Sequence, residues 1–198
     1  MLLGITGSPG SGKSVLSRCI AEKGWSLVNA DEVGRDVVES DRRVLDRLAS
    51  AFGEDIVGTA YRLDRRLLAK RAFSSPENTR KLNDIVHPAL IGKLQDRIKS
   101  LRKEDRNIVV DCALIFEWEI EHIFDIIVCV FADRDIRIRR LIERDGRTEA
   151  EIEDMFRTQL PEEEKIRKSH LALANNASIG IICVIGAMLA DIHDYIDS

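Results

Sequence analysis

The sequence predicts an α/β fold in which a parallel sheet of about five strands carries helices on both faces. Three observations predict it. Short apolar runs recur along the chain, and most are continuous rather than alternating, as in strands covered on both sides. Helical stretches separate these runs, as crossovers between parallel strands require. The first run also passes through a glycine-rich turn directly into a helix.

Leu2–Thr6 reads as the first strand. The turn Gly7-Ser8-Pro9-Gly10-Ser11-Gly12-Lys13-Ser14 fits G-x-x-x-x-G-K-[ST] at every fixed position. Val15–Glu22 follows as a helix, with Leu16 and Ile20 one turn apart. Ser26–Ala30 is the second strand. About 76 residues then precede the third, Asn107–Cys112, far more than a crossover needs. They are not structureless. Val44, Leu45, Leu48 and Phe52 keep helical spacing up to Gly53. Asp64 caps a helix carrying Leu67, Leu68 and Ala72, and Ser75-Pro76 opens another bearing Leu82, Ile85 and Val86. His87-Pro88 is expected to break that helix, with Ala89–Leu101 forming the next. This segment is expected to be an inserted helical lobe, the kind of insertion that usually holds the second substrate in an enzyme with such a phosphate-binding turn.

Ile126–Phe131 is the fourth strand. Asp133 caps a helix ending near Asp145-Gly146, and Thr148-Glu149-Ala150-Glu151 is a capping box whose helix runs on to Leu160-Pro161. These two arginine-bearing helices are expected to form a helical lid. His170–Ala174 is the fifth strand. The twelve-residue apolar run Ile179–Ala190 is too short to span a bilayer and reads as a buried C-terminal helix or one face of a subunit contact. The expected organisation is a core of residues 1–34, 105–133 and 162–198, a lobe of 35–104 and a lid of 134–161.

Composition narrows the partners. Of 198 residues, 44% are apolar and 32% charged, ordinary for a globular chain with a real core. The net charge of −4 gives no general attraction to nucleic acid or an anionic membrane. Two stretches run the other way: Arg62–Arg71 carries +4 and Arg134–Arg147 carries +3. They suit small anionic ligands, and also solvated helix faces. Cys19, Cys112, Cys129 and Cys183 are scattered without metal-ligand spacing and read mostly as core residues, which fits a reducing cytosol. The N-terminus lacks the charged start and apolar stretch of a signal peptide.

Ligands of open α/β sheets bind beyond the carboxyl ends of the strands, and three polar positions fall there. After strand one, Gly10, Ser11, Gly12, Lys13, Ser14 and Val15 can surround a phosphate chain. Glycines let successive N–H groups point at phosphate oxygens, Lys13 adds a full charge, and the Ser14 hydroxyl suits Mg²⁺. The fold is then of P-loop NTPase type. After strand two, Asp31 is placed to act as a general base on an attacking hydroxyl across the cleft from Lys13, or as the N-cap of a helix from Glu32 onward. Asp111 ends strand three, where a Walker-B aspartate stands, and can hold Mg²⁺ through water or orient Ser14. Arg140 and Arg144 share one face of the lid helix and suit phosphoryl oxygens; Arg137 and Arg139 read as solvating that helix. Arg157 and Gln159 are weaker candidates. His87 is a helix terminator, a core residue or a phosphate contact.

Taken in order, these residues resemble the dephospho-CoA kinase family. The resemblance rests on Ile5-Thr6-Gly7 with Gly10 to Ser14, and on Asn29-Ala30-Asp31 with Arg35. It continues through Arg62-Leu63-Asp64-Arg65, Leu68-Ala69, Phe73 and His87-Pro88 to Asp111-Cys112-Ala113-Leu114-Ile115-Phe116-Glu117. Arg140-Leu141, Arg144-Asp145-Gly146, Gln159, Pro161 and Asn175-Asn176-Ala177-Ser178 complete it. It implies that ATP, with Mg²⁺, phosphorylates the ribose 3′-hydroxyl of dephospho-CoA in the cytoplasm, giving CoA and ADP. It further implies that Lys13, Asp31 and Arg140 are catalytic, that Arg144 helps hold ATP, and that Asp31, Arg65, His87 and Asp111 contact the substrate. The expected assembly is a monomer or small homo-oligomer without nucleic-acid or membrane partners. Ser8-Pro9, Val15, Asn29, Ala113 and Ala177 depart from the family's usual residues, and none of these changes deletes a charged catalytic group. Another small-molecule kinase, or a non-catalytic nucleotide switch, is the alternative; a switch would lack Lys13, Ser14 or Asp31.

Overall fold

The computed structural model describes residues 1–104, 107–176 and 179–196. Among them, five parallel strands form one sheet in the order β2-β3-β1-β4-β5: β1 Leu2–Thr6, β2 Ser26–Asn29, β3 Ile108–Asp111, β4 Ile126–Phe131 and β5 Leu171–Ala174. The chain packs as two compact units. One joins Met1–Asn29 to Ser100–Ser198, and the other is Ala30–Lys99.

The first unit holds the sheet. β1 lies between β3 and β4, and its five residues are all buried, which is why it reads as an unbroken apolar run. Leu3, Ile5, Val109, Val128 and Val130 pack against Leu16 and Ile20 of α1 (Lys13–Ala21) and Trp25. Ile182 and Ala190 of the C-terminal helix Ile179–Ile196 close the same cluster. The apolar tail is therefore a core helix, although Val184 and Met188 on its other side stay exposed. β5 is an edge strand with three of its four residues exposed, so its apolar pattern is weak.

The second unit contains α2 (Ala30–Ser40), α3 (Arg42–Phe52), α4 (Arg65–Ala72) and most of α5 (Pro76–Arg102). Val37, Leu45, Leu48, Leu68, Leu90 and Leu94 are among its buried residues. The Asp41 and Asp64 carboxylates accept from the Arg43 and Leu67 amides and so cap α3 and α4. One expectation fails here. His87-Pro88 does not break the helix, and α5 runs through Pro88 without a stop. Proline forfeits one amide bond and crowds the preceding turn. Ile85, Leu90, Leu94 and Ile98 form a continuous buried stripe across that point, and burying it outweighs the local defect.

Three further differences lie in the first unit. Asp133 precedes α6 (Arg134–Asp145), but its side chain makes no capping bond; its amide instead donates to Asn176 Oδ1 at 2.8 Å. The Thr148 capping box forms, yet α7 (Glu149–Arg157) ends before Leu160, and an unanticipated α8 (Glu162–Lys168) follows Pro161. The C-terminal helix is thus α9. Cys19 and Cys183 are not merely separate core residues: they form a disulfide between α1 and α9. Cys112 and Cys129 are buried thiols outside the disulfide, and burial pushes the Cys129 thiol up to about 12, which leaves it unreactive at neutral pH.

Pro88 is exposed and its defect is local. Replacing it with alanine is therefore expected to stabilise the protein by about 1–3 kcal/mol, read from urea unfolding midpoints. An unchanged or lowered midpoint would show that α5 has no defect to relieve.

Candidate active site

The turn after β1 folds as it does because side chains cannot fit there. Gly12 adopts φ 98° and a Cβ on it would lie 2.2 Å from Asn175 Nδ2. Gly10 adopts φ 79° and its Cβ would lie 2.7 Å from the Arg137 carbonyl oxygen. Both conformations lie in the left-handed region that L side chains avoid. The loop then turns into α1 with Lys13 and Ser14 in the first turn, whose amides have no acceptor within the helix. No acidic residue stands in that turn to compete for them. Ser11 Oγ is buried without a hydrogen-bond partner, as a group shaped for an anion would be.

Main-chain carbonyls of this loop are held from outside. Arg140 of α6 donates to the Gly10 carbonyl at 3.3 Å and the Asn175 carbonyl at 2.9 Å. Asn175, just after β5, donates from Nδ2 to the Ser11 carbonyl at 2.7 Å. The Ser11 amide donates to the Ser8 carbonyl at 3.1 Å and the Val15 amide to the Gly12 carbonyl at 3.0 Å, so the amides that can turn to a ligand are those between them, at Gly12, Lys13 and Ser14.

Asp111 ends β3 in register with Ile5 of β1 and Asn29 of β2, so it stands between two strands at the carboxyl edge of the sheet. It is 5% exposed. Two residues on, the Ala113 carbonyl accepts from Thr6 Oγ1 at 3.2 Å and from Lys165 Nζ at 2.6 Å. This loop carries alanine where the resemblance anticipates proline, and these two donors fix its backbone instead.

The arginines divide their work differently from the sequence expectation. Arg137 does not merely solvate α6. It is buried, donates to the Ala132 carbonyl at 2.9 Å, lies 4.6 Å from the Phe156 ring centre and 3.4 Å from Glu162. Burial pushes the Glu162 carboxyl above its ordinary value, while the Arg137 cation and the Ser8 hydroxyl oppose that shift. Arg144 is engaged by both oxygens of Asp145, at 2.7 Å each. Arg139 is exposed, and Arg157 pairs with Asp154 on the surface.

In the second unit, Asp31 is the second residue of α2 rather than its cap, two residues beyond the end of β2. Its side chain is exposed, and its carbonyl accepts from Arg35 Nε. Arg65 pairs with Glu39, and His87 is half-buried within α5. A cavity of about 490 Å³ in this unit is lined by Phe52, Leu67, Lys70 and Arg71 with Ala51, Ser74 and Asn78. Arg71 is fixed there by a two-point bond to Asp55.

Sequence reasoning missed Lys165 altogether. It is fully buried and pairs with Glu117 at 2.8 Å. Burial lowers its proton affinity, the Glu117 carboxylate opposes this, and the charge of Lys13 adds slightly to the lowering. A usable signal was present: Glu117 follows Leu114-Ile115-Phe116, and a carboxylate in an apolar run needs a partner. Ala177 and Ser178 of the closing motif lie outside the described residues.

Known proteins converge on this architecture. A family model described as dephospho-CoA kinase matches residues 1–180. A dephospho-CoA kinase of Fusobacterium nucleatum is 34% identical over 179 residues, 90% of this chain and 91% of that one. Another, from Geobacillus kaustophilus, is 35% identical and covers 90% of this chain and 89% of its own. A Thermus thermophilus crystal structure superposes with TM-score 0.81 at 30% identity, covering 98% of this chain and 97% of that one. A shikimate kinase from Acinetobacter baumannii, 13% identical with TM-score 0.54 and coverage of 96% and 91%, shares the fold.

Gly12→Ala places a methyl group against Asn175 in a left-handed conformation. It should weaken ATP binding at least about tenfold by calorimetry while the protein stays folded. Affinity within about twofold of the parent would mean that the loop geometry is not what binds phosphate.

Proposed function

The chain belongs to the dephospho-CoA kinase family and is a kinase of CoA biosynthesis, and we propose how its residues carry the reaction. The γ-phosphoryl group of ATP passes to the ribose 3′-hydroxyl of dephospho-CoA. The hydroxyl oxygen forms a bond to the γ-phosphorus, the bond to the β-phosphate bridging oxygen breaks, and ADP leaves. The observation that carries this reading is the phosphate loop, with Gly10 and Gly12 left-handed and Lys13 opening α1 beside the Asp111 strand.

In this reading the segment Gly10 to Val15 surrounds the β- and γ-phosphates, with the amides at Gly12, Lys13 and Ser14 directed to their oxygens, and Lys13 stabilises charge on the transferring group. Arg140 is held against the same loop and adds positive potential there, with Arg144 nearer solvent at the end of α6. Asp31 accepts the proton of the attacking hydroxyl; its position just past β2 and its exposure support that role. Ser14 and Asp111 are the residues that would hold Mg²⁺, which supplies Lewis-acid stabilisation of the phosphates. Their chemistry fits: Mg²⁺ takes one or two protein oxygens and completes its shell with phosphates and water.

The helical unit holds dephospho-CoA. Its cavity offers apolar surface from Phe52 and Leu67 beside Lys70 and Arg71, a match to a ligand with an uncharged arm and phosphates. Arg65 and His87 are further contacts in this reading. Helices α6 and α7 act as the lid. Consumption of ATP supports a cytoplasmic setting, and a monomer or small homo-oligomer suffices because the reading requires no residue from a partner.

Asp31→Asn is expected to retain ATP affinity and lower kcat by about 10²–10⁴-fold in an ADP-coupled assay with dephospho-CoA. Near-parental turnover would remove Asp31 as the base. Lys13→Ala should depress kcat with the fold intact; an unaltered rate would contradict phosphoryl transfer at this loop.

A further inference from the structure

Lys165 on α8 is 0% exposed, and its ammonium has three N–H donors. Each meets an oxygen: the Ala113 carbonyl at 2.6 Å, Gln159 Oε1 at 3.0 Å and Glu117 Oε1 at 2.8 Å. The first oxygen is also bonded by Thr6, the last residue before the phosphate loop. Glu117 Oε1 also accepts the Leu160 amide at 2.9 Å. One ammonium therefore joins three segments. They are the entrance to the phosphate loop, the loop that leaves β3 just after Asp111, and the junction between α7 and α8.

Stability alone is a poor reason for such a group. Taking an ion pair out of water costs about as much as the pair returns, and apolar replacements are often neutral or better. What an apolar contact cannot supply is direction. Three donors with three fixed acceptors define where the junction sits to within hydrogen-bond tolerance.

We propose that Lys165 is a positioning residue for phosphoryl transfer, holding the α7–α8 junction in fixed register with Asp111 and the phosphate loop. It acts through Ala113 and Glu117 and touches no reacting atom. The proposal rests on the kinase reading above. It gives loop 112–117, which carries Ala113 in place of a stiffening proline, a defined backbone, and it makes the position of the lid side of the site depend on the same node that fixes the strand end.

The test is the paired variant Glu117→Gln with Lys165→Met. It removes both charges, keeps an acceptor for the Leu160 amide and leaves no uncompensated buried ion. Thermal midpoint, kcat, both KM values and hydrogen exchange over residues 112–119 and 158–164 are measured. The expected result is a midpoint close to the parent, kcat lowered about 10–10²-fold, an unchanged KM for ATP, and faster exchange in both segments together. A folded double variant with kcat within about twofold of the parent, or faster exchange in one segment only, would overturn the proposal. If the double variant does not fold, Glu117→Gln alone decides by the same two readouts. If the parent fails to phosphorylate dephospho-CoA, the kinase reading falls, while the exchange data still decide whether Lys165 couples the two segments.

Discussion

A backbone with no room for side chains is the constraint on which the rest depends. Between β1 and α1 the chain must pass under the Arg137 carbonyl and the Asn175 amide, and only glycine at positions 10 and 12 permits both approaches. The surrounding elements are arranged to keep it there. Arg140 from α6 and Asn175 from the end of β5 take the loop's carbonyls, so the direction of its amides is set by groups more than a hundred residues away in sequence. The geometry of the proposed anion site is thus a property of the sheet and its flanking helices rather than of eight residues alone.

Charge is distributed with the same economy. The chain is acidic overall, yet the residues against the loop are cationic: Lys13 and Arg140 at the loop, with Lys165 behind it. Lys165 is neutralised by Glu117, and Arg137 is balanced by Glu162, so these inner cations serve architecture, and the proposed reading assigns the outer ones, Lys13 and Arg140, to the ligand. This pairing explains how Glu117 can follow the apolar run Leu114-Ile115-Phe116 without harming the fold: it has a specific cationic partner.

Much of this was legible in the sequence. β1, β3 and β4 read correctly because strands buried on both faces must be apolar without interruption, and the phosphate loop because its steric demands admit so few residues. The caps at Asp64 and Thr148 are local chemistry and were visible as such. Non-local terms were not. A proline at 88 predicts a break from its own geometry, but the helix is decided by the stripe from Ile85 to Ile98. Arg137 looked solvated because Phe156, which covers it, lies on another helix. Lys165 follows Glu162-Glu163-Glu164 and resembles a surface residue; its partner carbonyl at Ala113 is 52 positions away. The Cys19–Cys183 bond spans 164 positions and left no local trace at all.

The most direct test of the account is ³¹P NMR of the unmodified protein with MgATP and dephospho-CoA in equal amounts. The account predicts loss of the γ-phosphate signal matched one-for-one by a new ribose 3′-phosphomonoester and by ADP, with no free phosphate. A γ-phosphate that persists, or that appears only as inorganic phosphate, would contradict it.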